Sequence, residues 1–445
     1  MASLKPVLYL TSEIHNRDWD TRLLMADFAT AKGLSVVVGQ QWSPHENFAI
    51  LPLGLFMGKT MNQIQVNIMT SYRRKGHLVV AMDEEAFGMA PDQKFSGWIP
   101  ENVHDCCDAF FANSPMHAEV LGEMRPVLKK KITALGNPRM DLLSARGQAR
   151  YQREAEEIRE KVGRFVLFNS NMAQGNSLFD TKQYYMDAQI QAGTLKPDDA
   201  ESVAIFEGQF EFERANNDIF ISVLRWCAEN LPKHAIVIRP HPAENPEYWE
   251  KFAASDPRIT IAANTPHIPW MMASELVVHT NSTTGMEAAI MGKATANLMP
   301  QKEGLWMNLY VSSRVNPTFY EWQEATAAIE EFLEHGQGAL AANPACESAL
   351  QRYFPEREKY MVCERMVAYM AALLKKGGVD RRPFNFFNAV VGKYQLYQRE
   401  EFKIRKFQKT PNQAMADFQS LRRVSKLKHR IQMTQLDDSL FLLSP

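Results

Sequence analysis

Long apolar runs are missing from this 445-residue chain: none approaches the roughly 18–20 residues that cross a bilayer. The opening MASLKPVLYLTSE turns polar too early for a signal peptide. An excess of charge of either sign is also missing. A formal net charge of -1 argues against a protein built to bind nucleic acid over its whole surface. Cysteine is scarce and scattered (Cys106, Cys107, Cys227, Cys346, Cys363) with no CxxC pair, which fits reduced thiols in a cytoplasmic protein. No GxGxxG follows the first strand and no GxxxxGK[ST] occurs, so dinucleotide and P-loop readings lack their motifs. His15, His45, His77, His104, His117, His234, His267 and His279 show no zinc-ligand spacing. No metal or cofactor is expected.

What is present is an alternation of short buried strands with helices. PVLYLTS, SVVVGQ, HLVVAM, DAFFANS and FVLFNS read as strands, and HNRDWDTRLLMADFATAKG as a helix. Strands separated by helices imply parallel βαβ units, whose ligands bind beyond the strands' carboxyl ends. The charged stretch around 146–163 reads as a connection between two such halves. The organisation expected is a first α/β domain over 1–145, the linker 146–163, a second α/β domain over 164–345 and a strand-free helical extension over 346–445.

The richest stretch lies between Ala235 and Pro300. Strand AIVIR ends in Arg239-Pro240-His241-Pro242. Strand ELVVHT ends in Asn281-Ser282-Thr283-Thr284, and a helix carrying Glu287 follows. Hydroxyls and open backbone amides at a helix start favour an anion, and a carboxylate one turn inside suits ribose hydroxyls. The pattern reads as a sugar-nucleotide site with His241 reaching the phosphate and Arg239 assisting. Plainer readings stand beside it: a proline-stiffened turn, an ordinary N-cap, and a Thr284–Glu287 capping box.

The loops of the first half carry acids. Asp83-Glu84-Glu85 follows a strand and Glu13 follows another, so either supplies a base or nucleophile or simply faces solvent. Arg17 suits a substrate carboxylate. Asp18-Trp19-Asp20 matches the metal-holding DxD of many glycosyltransferases but sits where acids open a helix, which is the reading taken. Between Arg399 and Arg430 ten Lys/Arg face three Asp/Glu. That segment reads either as a solvated helical face, with Leu421, Val424, Leu427 and Ile431 at helical spacing, or as a basic helix on anionic lipid.

TSEIHNRDWDTRLLMA, MDEEAFGM, ALGNPRMDLL, FVLFNSNMAQGN, RPHPAENPEYW and NSTTGMEAAIMGKA together resemble bacterial surface-carbohydrate biosynthesis proteins. These are GT-B glycosyltransferases akin to the retaining β-Kdo transferases of capsule and O-antigen assembly. The resemblance covers about residues 6–300; the HP turn with its Ser/Thr–Glu helix is shared with sialyl- and CDP-glycerol transferases. It implies two Rossmann-like domains facing across a cleft, with a CMP-activated sugar on the second. His241 and Ser282-Thr283-Thr284 would hold the phosphate, Glu287 the ribose, His267 and Ile268 the base through their backbone. Asn169, Ser170 and Asn171 would border the phosphate, and Glu84 or Glu85 would do the acid–base work. Ala86 stands where the resemblance leads one to expect glycine. The function implied is transfer of Kdo, or a related 2-keto sugar acid, to a surface polysaccharide or glycolipid. The alternatives are a CDP-glycerol-type or sialyl-type transferase, and a non-catalytic glycan-assembly protein. The expected place is the cytoplasm, with peripheral contact at the inner membrane through 399–430.

Overall fold

The computed structural model describes residues 6–445 apart from 14, 48–51, 91–98, 174, 177–181, 192–194, 264, 342, 356–360, 378–408 and 438. The chain divides into two compact units: Met1–Glu84 with Trp98–Arg150 and Glu358–Pro445, and Glu85–Gly97 with Tyr151–Arg357. The division after Arg150 falls inside the charged 146–163 stretch. The second unit runs past 345 to Arg357, and it also takes in the segment after the acidic triplet.

The first unit holds an eight-stranded sheet. Its strands are β1 (Val7–Ser12), β2 (Ser35–Gln40), β3 (Gly54–Gly58), β4 (Leu78–Met82), β5 (Ala109–Ala112) and β6 (Ile132–Ala134), with two more from the C-terminus. The order β2-β1-β3-β4-β5-β6 is parallel throughout, so the direction of winding reverses between β1 and β3. These strands are near-continuous apolar runs because both faces are covered.

The second unit holds six parallel strands: β7 (Phe165–Asn169), β8 (Ala235–Arg239), β9 (Ile259–Ile261), β10 (Leu276–His279), β11 (Thr295–Leu298) and β12 (Thr318–Phe319). Their order, β12-β11-β10-β7-β8-β9, is that of Rossmann-like sheets, with the topological switch between β7 and β10. One face packs Val166, Phe168, Ile236, Ile238, Leu276 and Val278 against Phe220, Trp249 and Ile329. Because side chains alternate along a strand, Asn169, Arg239, His279 and Asn297 point to the other face.

The C-terminal part returns to the first unit with helices Val362–Lys376 and Pro411–Ser425, both against helix His15–Ala31. The expectation of no strands beyond about 345 is corrected here. The helical spacing of Leu421 and Val424 stops at Lys426, which takes a left-handed φ of 61° and caps the helix. Residues beyond it form an antiparallel hairpin, β13 (Gln432–Asp437) and β14 (Leu440–Ser444), and β14 pairs antiparallel with β2. Among the described residues no helix is long and apolar enough to cross a membrane.

Candidate nucleotide-binding site

Three loops leave the carboxyl ends of β7, β8 and β10 in the second unit. The loop after β8 is fixed by its own backbone: Ala243 N–H donates to His241 Nδ1 at 3.2 Å. A backbone amide can only donate, so Nδ1 carries the lone pair and the neutral ring holds its proton on Nε2. The His241 amide in turn donates to Ser170 Oγ at 3.3 Å, joining this loop to the one after β7.

Glu244 ties the two loops together. Its carboxylate accepts from Ser170 Oγ at 2.9 and 2.8 Å, from Met172 N–H at 2.8 Å and from Trp249 Nε1 at 2.7 Å. It is buried, and burial pushes its carboxyl up while these donors pull it down. Nothing in the sequence reading marked Glu244. Its signal was a carboxylate three residues beyond His241 in a turn otherwise built of Ala, Asn and Pro. Ser170 is thereby occupied with Glu244, while Asn171 is half-buried.

After β10 the cap is Ser282, whose Oγ receives Thr284 N–H at 3.3 Å and lies 2.9 Å from Thr284 Oγ1. Thr284 is thus inside the helix Thr283–Ile290, and the Thr284–Glu287 capping box is not what closes its end. Asn281 takes a left-handed φ of 48° to enter the cap. It is held there by its N–H on Asn297 Oδ1 at 2.7 Å and its Nδ2 on the Trp306 carbonyl at 3.1 Å. Ser312 Oγ donates to the Ser282 carbonyl. The segment after Glu85 closes over the same helix start. Val311 N–H donates to the Gly88 carbonyl at 2.9 Å and Ala90 N–H to the Leu309 carbonyl at 2.6 Å. A Cβ on Gly88 would lie 2.0 Å from Thr283 Cγ2.

Glu287 is wholly buried, and its Oε2 lies 2.6 Å from His267 Nε2. Arg239 donates from Nη2 to the Thr265 carbonyl at 2.6 Å. Burial pushes its guanidinium down to about 10, and the Glu287 charge works against that fall. So His267 meets this site through its side chain, next to a buried Ile268 in helix His267–Ala273.

In the first unit Glu13 follows β1 and pairs with Lys59, which follows β3, so an ion pair stands at that sheet's switch point. Arg17 Nε donates to Asp18 Oδ1 at 2.7 Å, and Asp18 also accepts Glu13 N–H at 3.2 Å. Asp18 therefore serves the start of helix His15–Ala31. Glu84 is buried and accepts from Arg22 Nη2 at 2.5 Å. Glu85 opens a short 3-10 turn, exposed, in the second unit. The apolar face of Pro411–Ser425 is spent inside the protein on Ala414, Phe418, Leu421 and Val424. That corrects the reading of this helix as one resting its apolar face on lipid; the part of that call on 399–408 lies outside the described residues. Arg423, Lys426, Lys428 and Arg430 remain exposed.

No protein-family model matches the chain and no curated relative matches its sequence. Solved structures do match. The wall teichoic acid polymerase TagF, in a variant soaked with CDPG, aligns over 83% of this chain and 89% of its own at TM-score 0.52 and 10% identity. The UDP-GlcNAc 2-epimerase of Methanocaldococcus jannaschii, with UDP-GlcNAc and UDP, aligns over 83% and 100% at TM-score 0.50 and 13% identity. The fold is GT-B. At such identities the likeness speaks for the fold alone: two Rossmann-like domains with a C-terminal extension.

Proposed function

We propose that this protein is a glycosyltransferase that moves Kdo, or a related 2-keto sugar acid, from its CMP donor to a bacterial surface polysaccharide or glycolipid. The observation that carries the reading is the pairing of two features at one sheet end: the Nε2-protonated His241 after β8 and the Ser282-capped helix start after β10. A proton donor and a helix dipole there suit a departing phosphate. In the reaction the bond from the sugar's anomeric carbon to the CMP phosphate oxygen breaks, and its electron pair stays on the phosphate. His241 and the helix start stabilise that charge, so the proposal needs no metal. The acceptor hydroxyl forms the new bond and gives its proton to a carboxylate, for which Glu85 and Glu13 are the candidates. Glu84 is left out because it is sealed with Arg22 at 3% side-chain exposure, whereas Glu13 keeps 22% in its pair with Lys59. Retention of configuration would use one carboxylate as nucleophile. His267 and Glu287 serve the nucleoside and Arg17 the sugar carboxylate. The exposed Arg423, Lys426, Lys428 and Arg430 support contact with an anionic inner-membrane surface where a lipid-linked acceptor would reside.

The test is thermal unfolding with CMP, CDP, UDP and GDP, because a ligand that binds only the folded state raises its midpoint by mass action. A midpoint raised by CMP above the others supports the reading, and a UDP or GDP preference overturns the CMP donor. A CDP-linked donor is the second reading, favoured by the likeness to TagF soaked with CDPG; CDP ranking above CMP selects it. No response to any nucleotide moves the protein to a non-catalytic role. His241→Ala is expected to cut turnover at least a hundredfold with little change in midpoint.

A further inference from the structure

Four residues stand in one register at the carboxyl ends of the central strands of the second unit: Arg239, Asn169 and His279 end their strands and Asn297 is one short of the end. The outer two are engaged within the chain, although Arg239 Nε has no hydrogen-bond partner among the described residues. Arg239 donates to the Thr265 carbonyl, and Asn297 accepts from Asn281 N–H and donates to Thr318 Oγ1 at 3.0 Å. The inner two are not. Neither amide atom of Asn169, neither ring nitrogen of His279, nor the Thr280 hydroxyl has a hydrogen-bond partner among the described residues, and all three residues are 0–1% exposed. Five atoms with unmet hydrogen bonding therefore stand together at the β7/β10 switch point, where sheets of this winding place their ligands. Buried polar atoms are almost always paired, so these call for a partner that no described residue supplies and that a bound group can.

The position of the His279 ring narrows what that partner is. A Cβ built on Gly285 would lie 2.1 Å from both Cε1 and Nε2 of His279, so the imidazole lies directly under the first turn of helix Thr283–Ile290. A helix start that gathers an anion has beneath it a ring with a donor and an acceptor to offer, and beside that ring a carboxamide with both. Burial keeps His279 neutral, its pKa pushed down to about 3, so it offers hydrogen bonds without charge.

We infer that His279 and Asn169 form the inner hydrogen-bonding wall of a phosphate subsite, bonding the phosphate held at the Ser282 cap directly or through one water. The inference rests on the nucleotide-site reading and adds His279 to it as a binding residue. Gly285 acquires a reason as well, since any side chain there would displace the ring.

Calorimetric titration of the full-length protein with CMP and with inorganic phosphate tests this. His279→Phe keeps a ring and removes both nitrogens, and His279→Leu also removes both, without a ring and with less bulk, should Phe not fold. Either is expected to weaken CMP and phosphate at least tenfold while the unliganded melting midpoint stays the same or rises. A group that only packs would leave affinity intact, so unchanged binding by a folded variant overturns the inference. Loss of CMP with phosphate unaffected also overturns it, by moving the contact to the nucleoside. Gly285→Ala is expected to lower the midpoint, and Gly285→Ala with His279→Ala to restore the midpoint without restoring binding; restored binding would overturn the role of the nitrogens. Wild-type protein that binds phosphate but not CMP refutes the nucleotide reading and leaves the wall standing. Wild-type protein that binds neither refutes both.

Discussion

Arg22 donates to Glu84 across 2.5 Å, with side-chain exposures of only 1% and 3%. Arg22 also donates from Nε to the Thr11 carbonyl at 2.9 Å, so the pair locks helix His15–Ala31 to the end of β1 and to the chain leaving β4. Removing one member strands the other charge in the interior, which costs about 3–5 kcal/mol. Glu84→Ala is expected to lower unfolding free energy by that order in urea titration, while Arg22→Met with Glu84→Leu recovers most of it. An acid or base would behave otherwise: Glu84→Ala would keep its stability and lose turnover.

The same pair shows where sequence reading stops. Strands such as VLYLTS and FVLFN were legible because parallel strands covered on both faces must be apolar along their length, whereas the short β9 and β12 and the glycine-bounded β3 were not read. The loops of interest were legible for the related reason that their polar residues follow such runs directly. That Asp83 and Glu84 are buried while Glu85 is exposed was not legible, because the place of Glu84 depends on Arg22, 62 residues away. The C-terminal hairpin was hidden likewise, since β14 finds its partner in β2 at the far end of the chain. His279 was passed over because a histidine ending an apolar strand looks like any other; its meaning lies in the cross-strand neighbour Asn169 and in Gly285 above it.

Glu244 gives a second prediction. Its carboxylate receives the Ser170 hydroxyl, the Met172 amide and the Trp249 indole, three donors that a neutral amide cannot all satisfy. Glu244→Gln turns an N–H group towards at least one of them and is expected to cost about 2–3 kcal/mol. Because Ser170 also receives the His241 amide, the loop carrying His241 loosens with it. Nucleotide affinity should therefore fall together with the melting midpoint, and a variant that loses stability but binds CMP as before would separate the two loops.

Gly88 gives a third. The contact with Thr283 Cγ2 leaves no room for a methyl, and Thr283 is β-branched at the start of a helix, so its Cγ2 has little freedom to yield. Gly88→Ala is expected to cost about 1–3 kcal/mol as overpacking does. Thr283→Ser deletes only the clashing methyl and keeps the hydroxyl. Combined with Gly88→Ala it should return the midpoint close to wild type, which calorimetry can check. Failure of this rescue would mean that Gly88 is needed for its backbone rather than for its closeness to Thr283.

The buried histidines make stability depend on pH. Burial pushes His279 down to about 3, and His117 and His45 to about 4, with Lys59 adding to the effect on His45. Unfolded, each takes up its proton near pH 6.5. Between pH 6.5 and about 4 the unfolded chain therefore binds more protons than the folded one at these sites, and stability falls as pH falls. Asp141 opposes this. Burial raises it to about 6, so the folded state gains a proton there between that value and the ordinary carboxylate range. The cleanest measurement is thus a difference. His279→Leu removes one titrating group, and between pH 6.5 and 4.5 it should lose less stability than wild type, by about 1.4 kcal/mol for each pH unit. Parallel curves for the two proteins would show that His279 titrates freely and is not held neutral beneath the helix start.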